Sequence, residues 1–214
     1  AIRDDLIKVL KNSRPLTLCI YGSVVYHFVL GAAVYDQVWY VQERGFDRAE
    51  IAQYVGLIVI VFGILGNLFG GLGSDWFLKN FNLKRPMFLF WVMLFLLPLN
   101  IVGRIISPES YIFWIAMMAG AFQLGAVYGP AFATVQELAP PHMKATVIAF
   151  FILNLNMIGM FLGTTGAGII LDSLILYNET AINPIEEPYT KTLLFFTIIS
   201  SFSIPMFWLA GRKE

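Results

Sequence analysis

Six stretches of this chain contain no Asp, Glu, Lys or Arg: residues 15–35, 51–74, 86–103, 110–136, 145–171 and 192–211, with lengths of 21, 24, 18, 27, 27 and 20 residues. Roughly 20 apolar residues as helix cross a bilayer core of about 30 Å. Helices of a soluble core would carry a polar stripe, and these runs do not. Barrel strands would alternate in segments of about ten residues, which is also not the pattern. Six membrane-spanning helices therefore take up most of the 214 residues, leaving little for a soluble domain. Composition agrees: 58% of residues are hydrophobic and 13% charged, against about 25% charged in a typical soluble domain. The 14 basic and 14 acidic residues balance, so there is no basic footprint for nucleic acid. The single Cys19 makes neither an internal disulfide nor, by itself, a metal site.

Basic residues in the flanks set the expected orientation. Arg3, Lys8, Lys11, Arg14, Lys79, Lys84, Arg85, Lys144, Arg212 and Lys213 fall on one side, and Arg44, Arg48, Arg104 and Lys191 on the other. The richer side is expected to be cytoplasmic, with both termini there, in a bacterial inner membrane or a eukaryotic plasma or organelle membrane. Residues 1–14 mix Ile2, Leu6, Val9 and Leu10 with charges, as an interfacial amphipathic helix or a linker would. The bundle itself is expected over 15–214, with helices at about 15–40, 51–74, 86–104, 109–136, 145–172 and 191–211. A start at Ala1 after no Met, leading through a linker-like piece, suggests half of a larger protein. Asn178-Glu179-Thr180 is a glycosylation sequon on the outer side.

The second and fifth runs align at an offset of 97 residues. Gly66 then falls on Gly163, Gly70 on Ala167, Gly71 on Gly168 and Asp75 on Asp172. Three helices separate the copies, so they run in opposite directions: an inverted 3+3 repeat, as in several transporter folds with a substrate site near the midplane. Each aspartate is expected to end its helix.

Two stretches carry a family resemblance. Gly70-Gly71-Leu72-Gly73-Ser74-Asp75-Trp76, with Lys84-Arg85-Pro86 following, resembles the cytoplasmic signature loop of the major facilitator superfamily. Trp76 stands where a basic residue is usual, as in the more degenerate second copy of that loop. The stretch from Tyr128-Gly129-Pro130 through Glu137, Lys144, Asn156 and Gly163 to Asp172 is similar to helices ten and eleven of Spinster-like transporters and their bacterial relatives. The resemblance implies that the chain is the C-terminal six-helix half of a twelve-helix secondary transporter.

Two sets of residues become candidates. At the signature loop, Gly63, Gly66, Gly70 and Gly73 bare one helix face for close contact. Asp75 is placed to accept N–H groups from a neighbouring helix start. With Lys84, Arg85, Glu137 and Lys144 it could form a charge network that latches the inner helix ends; Gly70 and Gly71 belong to the same gate. Inside the spans, ionisable groups are functional by default. His27 lies deepest, and Asp36 nearer the outer surface. Nine residues apart, they face opposite ways unless the helix breaks, for which Gly31 is positioned. Gln123, Tyr128 and Asn154 are expected on the cavity, and Tyr35 there or, with Trp39, in the aromatic belt. Asn67 is expected to bond a neighbouring helix, while Gln37, Asn100 and Asn156 are further polar groups within or beside the spans.

Enzyme chemistry finds no support in the motifs. Two histidines, His27 and His142, make no H-E-x-x-H site, and neither a nucleophile elbow nor a phosphate-cradling loop occurs. No cofactor is expected. The function expected is rocker-switch transport of a small organic or amphipathic, lipid-like solute, coupled to protons. Its partners would be that solute, protons, membrane lipids and an N-terminal six-helix half. The alternatives are a self-contained six-helix channel or homodimeric transporter, and a non-transporting membrane protein.

Overall fold

A computed structural model describes residues 2–212, with side chains from Arg3 onward. Ala1, Lys213 and Glu214 lie outside the described residues, so Lys213 of the basic count is not placed. Helix α1 (Ile2–Asn12) lays Leu6, Val9 and Leu10 against the bundle. Six helical spans follow. The first is α2 (Arg14–Ala32), a 3₁₀ turn (Ala33–Tyr35) and α3 (Asp36–Gln42). The next three are the single helices α4 (Arg48–Phe81), α5 (Arg85–Ile105) and α6 (Tyr111–Leu138). The fifth runs from a 3₁₀ turn (Pro141–Met143) through α7 (Lys144–Asn154), a π-helical stretch (Leu155–Met160) and α8 (Phe161–Thr180). The sixth is α9 (Pro188–Ser200) and α10 (Ser203–Gly211). All six are long and apolar enough to cross a membrane.

Several boundaries differ from expectation for local reasons. The first span does break, but at Ala33–Tyr35 rather than at Gly31. Asp75 does not end its helix: α4 continues to Phe81 and stops at Asn82, whose φ of 50° makes a left-handed C-cap. Asp172 likewise lies within α8. A charge marks where a helix leaves lipid, and the backbone stops only at a residue that can turn it. The sixth span divides before Pro205, whose missing N–H and ring are incompatible with a continuous turn at Ser201.

The inverted repeat is visible as two equivalent crossings. On α4, a Cβ added at Gly66 would strike the Phe122 carbonyl of α6; on α8, one added at Gly163 would strike the Phe28 carbonyl of α2. In the reverse direction, Gly125 abuts the Gly63 carbonyl and Asn67 N, while Gly31 abuts the Met160 carbonyl and Thr164 N, each amide 2.8 Å from the added Cβ. The pairs Gly63/Met160, Gly66/Gly163 and Asn67/Thr164 are each 97 residues apart, and Phe28/Phe122 and Gly31/Gly125 each 94. The second span thus lies on the fourth as the fifth lies on the first. Gly31 serves this close approach and not the helix break. One methyl separates the copies a turn further on. Gly70 sits on the Ala126 carbonyl, which Pro130 cannot bond, whereas Ala167 and Ala32 are both fully buried in one apolar cluster.

The main core lies toward the basic end of the bundle, the end that carries Lys79, Lys84, Arg85 and Lys144. There Leu16, Ile20, Leu89, Val147, Phe151 and Phe207 are buried together. A second cluster around Trp39, Ile51, Phe113 and Leu193 closes the opposite end.

Candidate functional site

Between these two cores the bundle holds a partly open cavity of about 350 Å³. Its walls are mostly apolar, with Val29, Leu30, Ile58, Met93, Leu97 and Met117 among them. Polar groups enter from four spans, the sixth contributing Thr197, Ser200 and Ser201. Asp36, Gln37 and Tyr40 come from α3, Tyr26 from α2, Asn100 and Arg104 from α5, and Gln123 from α6. Asn100 and Arg104 share a face of α5 because they are four residues apart. Asn100 Nδ2 donates to Gln123 Oε1 at 2.5 Å, joining α5 to α6 across the cavity wall.

The 3₁₀ turn at Ala33–Tyr35 sets the position of Asp36, the first residue of α3. Arg104 Nη1 donates to Asp36 Oδ1 at 2.6 Å, and Nη2 approaches Oδ2 only at 3.5 Å. The Arg104 guanidinium lies over the Trp39 ring, 4.9 Å from its centroid. Arg44 lies 5.1 Å from the same ring. Trp39 Nε1 donates to Thr190 Oγ1 at 2.7 Å. Arg44 Nη2 donates to the Arg104 carbonyl at 2.7 Å and to Thr190 Oγ1 at 2.8 Å, and Arg44 pairs with Glu187. Glu43 accepts from the N–H groups of Tyr189 and Thr190, at 2.7 and 2.8 Å, and so caps the start of α9. Indole, two guanidiniums and three carboxylates thereby tie the first, third and sixth spans together at this end.

His27 is buried but does not line the cavity. Its Nδ1–H donates to the Ser23 carbonyl at 2.7 Å, and Nε2 accepts from the Tyr128 hydroxyl at 3.0 Å. Its Cβ packs where a side chain on Gly159 would go. Tyr128 is spent on this bond and is absent from the cavity wall. Asn154 donates to the Phe150 carbonyl of its own helix at 2.7 Å and is buried elsewhere. Tyr35 reaches Gly168, with its hydroxyl against that backbone. Trp39 is 2% exposed and so is no belt residue. Asn67 bonds the Gly63 carbonyl of its own helix rather than a neighbour.

Of the expected cavity residues, the structure brings Asp36 and Gln123 to the wall and leaves His27, Tyr35, Tyr128 and Asn154 off it. Tyr26, Asn100 and Arg104 were not singled out for it. Arg104 reads in sequence as a flanking charge, yet its side chain is 14% exposed. The available signal was its spacing of four from Asn100 at the end of an apolar run.

At the basic end, Arg85 opens α5 and reaches Asp75, Glu137 and Ser74 Oγ. Glu137 Oε1 lies 2.9 Å from Nη2 of Arg85. Asp75 thus receives a guanidinium rather than backbone N–H groups. Lys84 and Lys144 stay exposed outside this triad. Gly70 sits in the crossing described above, whereas a Cβ at Gly71 would meet open space. Among the described residues, no three His, Cys, Asp or Glu side chains are grouped to hold a metal ion.

The family model of the Major Facilitator Superfamily matches residues 2–164. Two crystal structures of a bacterial homolog to the human lysosomal transporter Spinster resemble this chain. The inward-facing, unoccupied form aligns with a TM-score of 0.75 at 16% identity, over 96% of this chain and 49% of that one. The inward-facing, occupied form aligns with a TM-score of 0.76 at 17% identity, over 94% and 50%. The chain therefore spans about half the length of the solved structures it matches. No curated protein matches it.

Proposed function

The chain belongs to the Major Facilitator Superfamily, and on that premise we propose that it is the C-terminal six-helix half of a secondary transporter working by alternating access. The observation that carries this reading is the cavity. An apolar chamber with ten polar or charged side chains in its wall, inside a bundle of inverted repeats, is where such a protein would hold a small organic solute. Asp36 is the ionisable group best placed to couple protons to it, because it lines the chamber and His27 does not. The positive-inside distribution supports both termini being cytoplasmic. The Arg85 triad would latch the cytoplasmic helix ends, with an N-terminal bundle completing the path and rocking against this one.

The test is flux. The purified chain in proteoliposomes is expected to give no saturable uptake, and a twelve-helix protein that includes it is expected to give uptake driven by a proton gradient. Saturable uptake by the chain alone would replace the half-transporter reading with a homodimer.

A further inference from the structure

The cavity holds an ion pair whose two members are anchored very differently. Arg104 is fixed. Its guanidinium is stacked on Trp39, Trp39 is held by Thr190, and the Arg104 carbonyl is held by Arg44. Among the described residues Asp36 has Arg104 as its one side-chain hydrogen-bond partner, and it starts a seven-residue helix after a 3₁₀ interruption. The pairing is lopsided, at 2.6 Å for one bond and 3.5 Å for the other, so one edge of the guanidinium fork is poorly used. Arg matches a planar two-oxygen acceptor better than this.

Charge balance constrains what can bind. The charged and titratable groups around Asp36 are Arg104 on α5, Tyr40 one turn further along α3, and Tyr26 across the cavity on α2. Behind Trp39 stand Arg44 paired with Glu187, and Glu43 bonded to Thr190. The wall residues from α4, α6 and the sixth span carry no ionisable group. With the pair intact the charges of the chamber wall therefore cancel, one cation held by several contacts against one anion held by that cation alone among the described side chains. A ligand anion added to the intact pair would leave a net negative charge among apolar walls, which is costly. A ligand anion that displaces a protonated Asp36 leaves the chamber neutral again.

We propose that Arg104 is the receptor for an organic monoanion with an apolar body, and that the anion enters with one proton, which an Asp36 carboxylate oxygen takes up as it releases the guanidinium. Asn100, one turn before Arg104 on the same face, and Gln123 add hydrogen-bonding capacity beside the ligand's charged group. The inference rests on the cavity being the transport site. It adds the charge of the ligand and the path of the proton.

The experiment uses the chain in lipid nanodiscs with three probes of equal length: hexanoate, hexylammonium and hexanol. Calorimetry in buffers of different ionisation enthalpy counts the protons bound. Hexanoate is expected to bind at least about tenfold more tightly than either other probe, since a charge-assisted pair is at stake. Close to one proton should be taken up per hexanoate near neutral pH. Asp36→Asn should still bind hexanoate, now without proton uptake and with an affinity independent of pH. The proton count on the unaltered chain needs no variant to fold. Hexanol or hexylammonium binding as tightly as hexanoate would overturn the proposal while leaving the cavity a ligand site. So would hexanoate binding without protons, or loss of hexanoate by an Asp36→Asn chain that still binds hexanol. Binding of none of the three would overturn both this proposal and the transport-site reading.

Discussion

The two ends of the bundle are built from the same chemistry and differ in their access to water. At the basic end Arg85 joins Asp75 and Glu137, carboxylates whose side chains are 67% and 53% exposed. At the opposite end Arg104 joins Asp36, at 14% and 22%, against the face of a buried tryptophan. Ion pairs in water contribute about 0–1 kcal/mol, whereas breaking a buried pair by removing one partner costs about 3–5 kcal/mol. Equal bonds on paper therefore make a contact that water can open at one end and, at the other, one that opens only when the lost partner is replaced. On the half-transporter proposal, the contact at the basic end has to be releasable for that end to open. The opposite cluster ties spans of one bundle to each other, and within it Asp36 leaves Arg104 only as a proton and a ligand anion take over the two halves of the pair.

The largest effect follows from the buried pair. Arg104→Gln should cost about 3–5 kcal/mol, read by denaturant unfolding in detergent, because Asp36 is left charged without its partner. The double change Arg104→Gln with Asp36→Asn should recover most of that loss. A single variant of unchanged stability would show that this pair is as water-accessible as the one at the basic end.

Next comes the cap on α9. Glu43→Ala removes the acceptor of two backbone N–H groups and the Thr190 hydroxyl. About 2 kcal/mol of stability should go with it, within the range for losing a charged cap. Faster hydrogen exchange at Tyr189 and Thr190 should locate the loss.

What the sequence disclosed follows from what lipid imposes. Charge-free runs, spaced glycines and basic flanks exist because a bilayer demands them, so spans, repeat and family could be read without coordinates. Gly31, Gly66, Gly125 and Gly163 meet backbone on the facing helix, and two of them carried the repeat in the alignment. The cavity was half legible. Gln123 was found because a polar residue in an apolar run stands out, and Asp36 because it is a carboxylate within the first expected helix, at about 15–40. Arg104 was hidden because an arginine at the end of a run looks like a topological signal. Only folding shows that the Trp39 ring and Arg44 hold it inward. His27 misled for the opposite reason. It is conspicuous as a letter, yet its two nitrogens are spent on Ser23 and Tyr128.

At the basic end the stability effects should be small and the conformational ones visible. Asp75→Asn should change unfolding stability by less than about 1 kcal/mol. In a twelve-helix protein containing this bundle, spin labels on the two inner halves should nevertheless report more inward-open molecules and slower turnover. Gly70→Leu should act in the same direction by wedging α4 from the Ala126 carbonyl. Lys79→Gln should do neither, since Lys79 is exposed and has no partner among the described residues. Raising salt from 0.1 to 1 M shortens the screening length from about 10 to about 3 Å. It should erase the Arg85–Glu137 coupling in a double-mutant cycle and leave the Asp36–Arg104 coupling. Equal salt sensitivity at the two ends would contradict the assignment of their difference to burial.

The smallest effect separates burial from position. Asp47 lies at the same end as Arg104 but is wholly exposed, and it caps α4 by accepting from Glu50 N and Ala49 N. Those two N–H groups, Glu50's first, hold its carboxyl below the ordinary carboxylate value of 3.8. A carboxyl with a lowered folded value binds its proton more readily in the unfolded chain. Its contribution is therefore complete above about 3.8 and is lost as pH falls through the lower folded value. Hydrogen exchange at Ala49 and Glu50, followed from pH 5 downward, should show protection falling only below that point, and in Asp47→Asn a much flatter profile. In Asp47→Asn at neutral pH the Trp39 fluorescence of the Arg104 cluster should stay unchanged although the α4 cap is weakened. If cap and cluster gave way together, location at this end of the bundle, and not seclusion from water, would govern both.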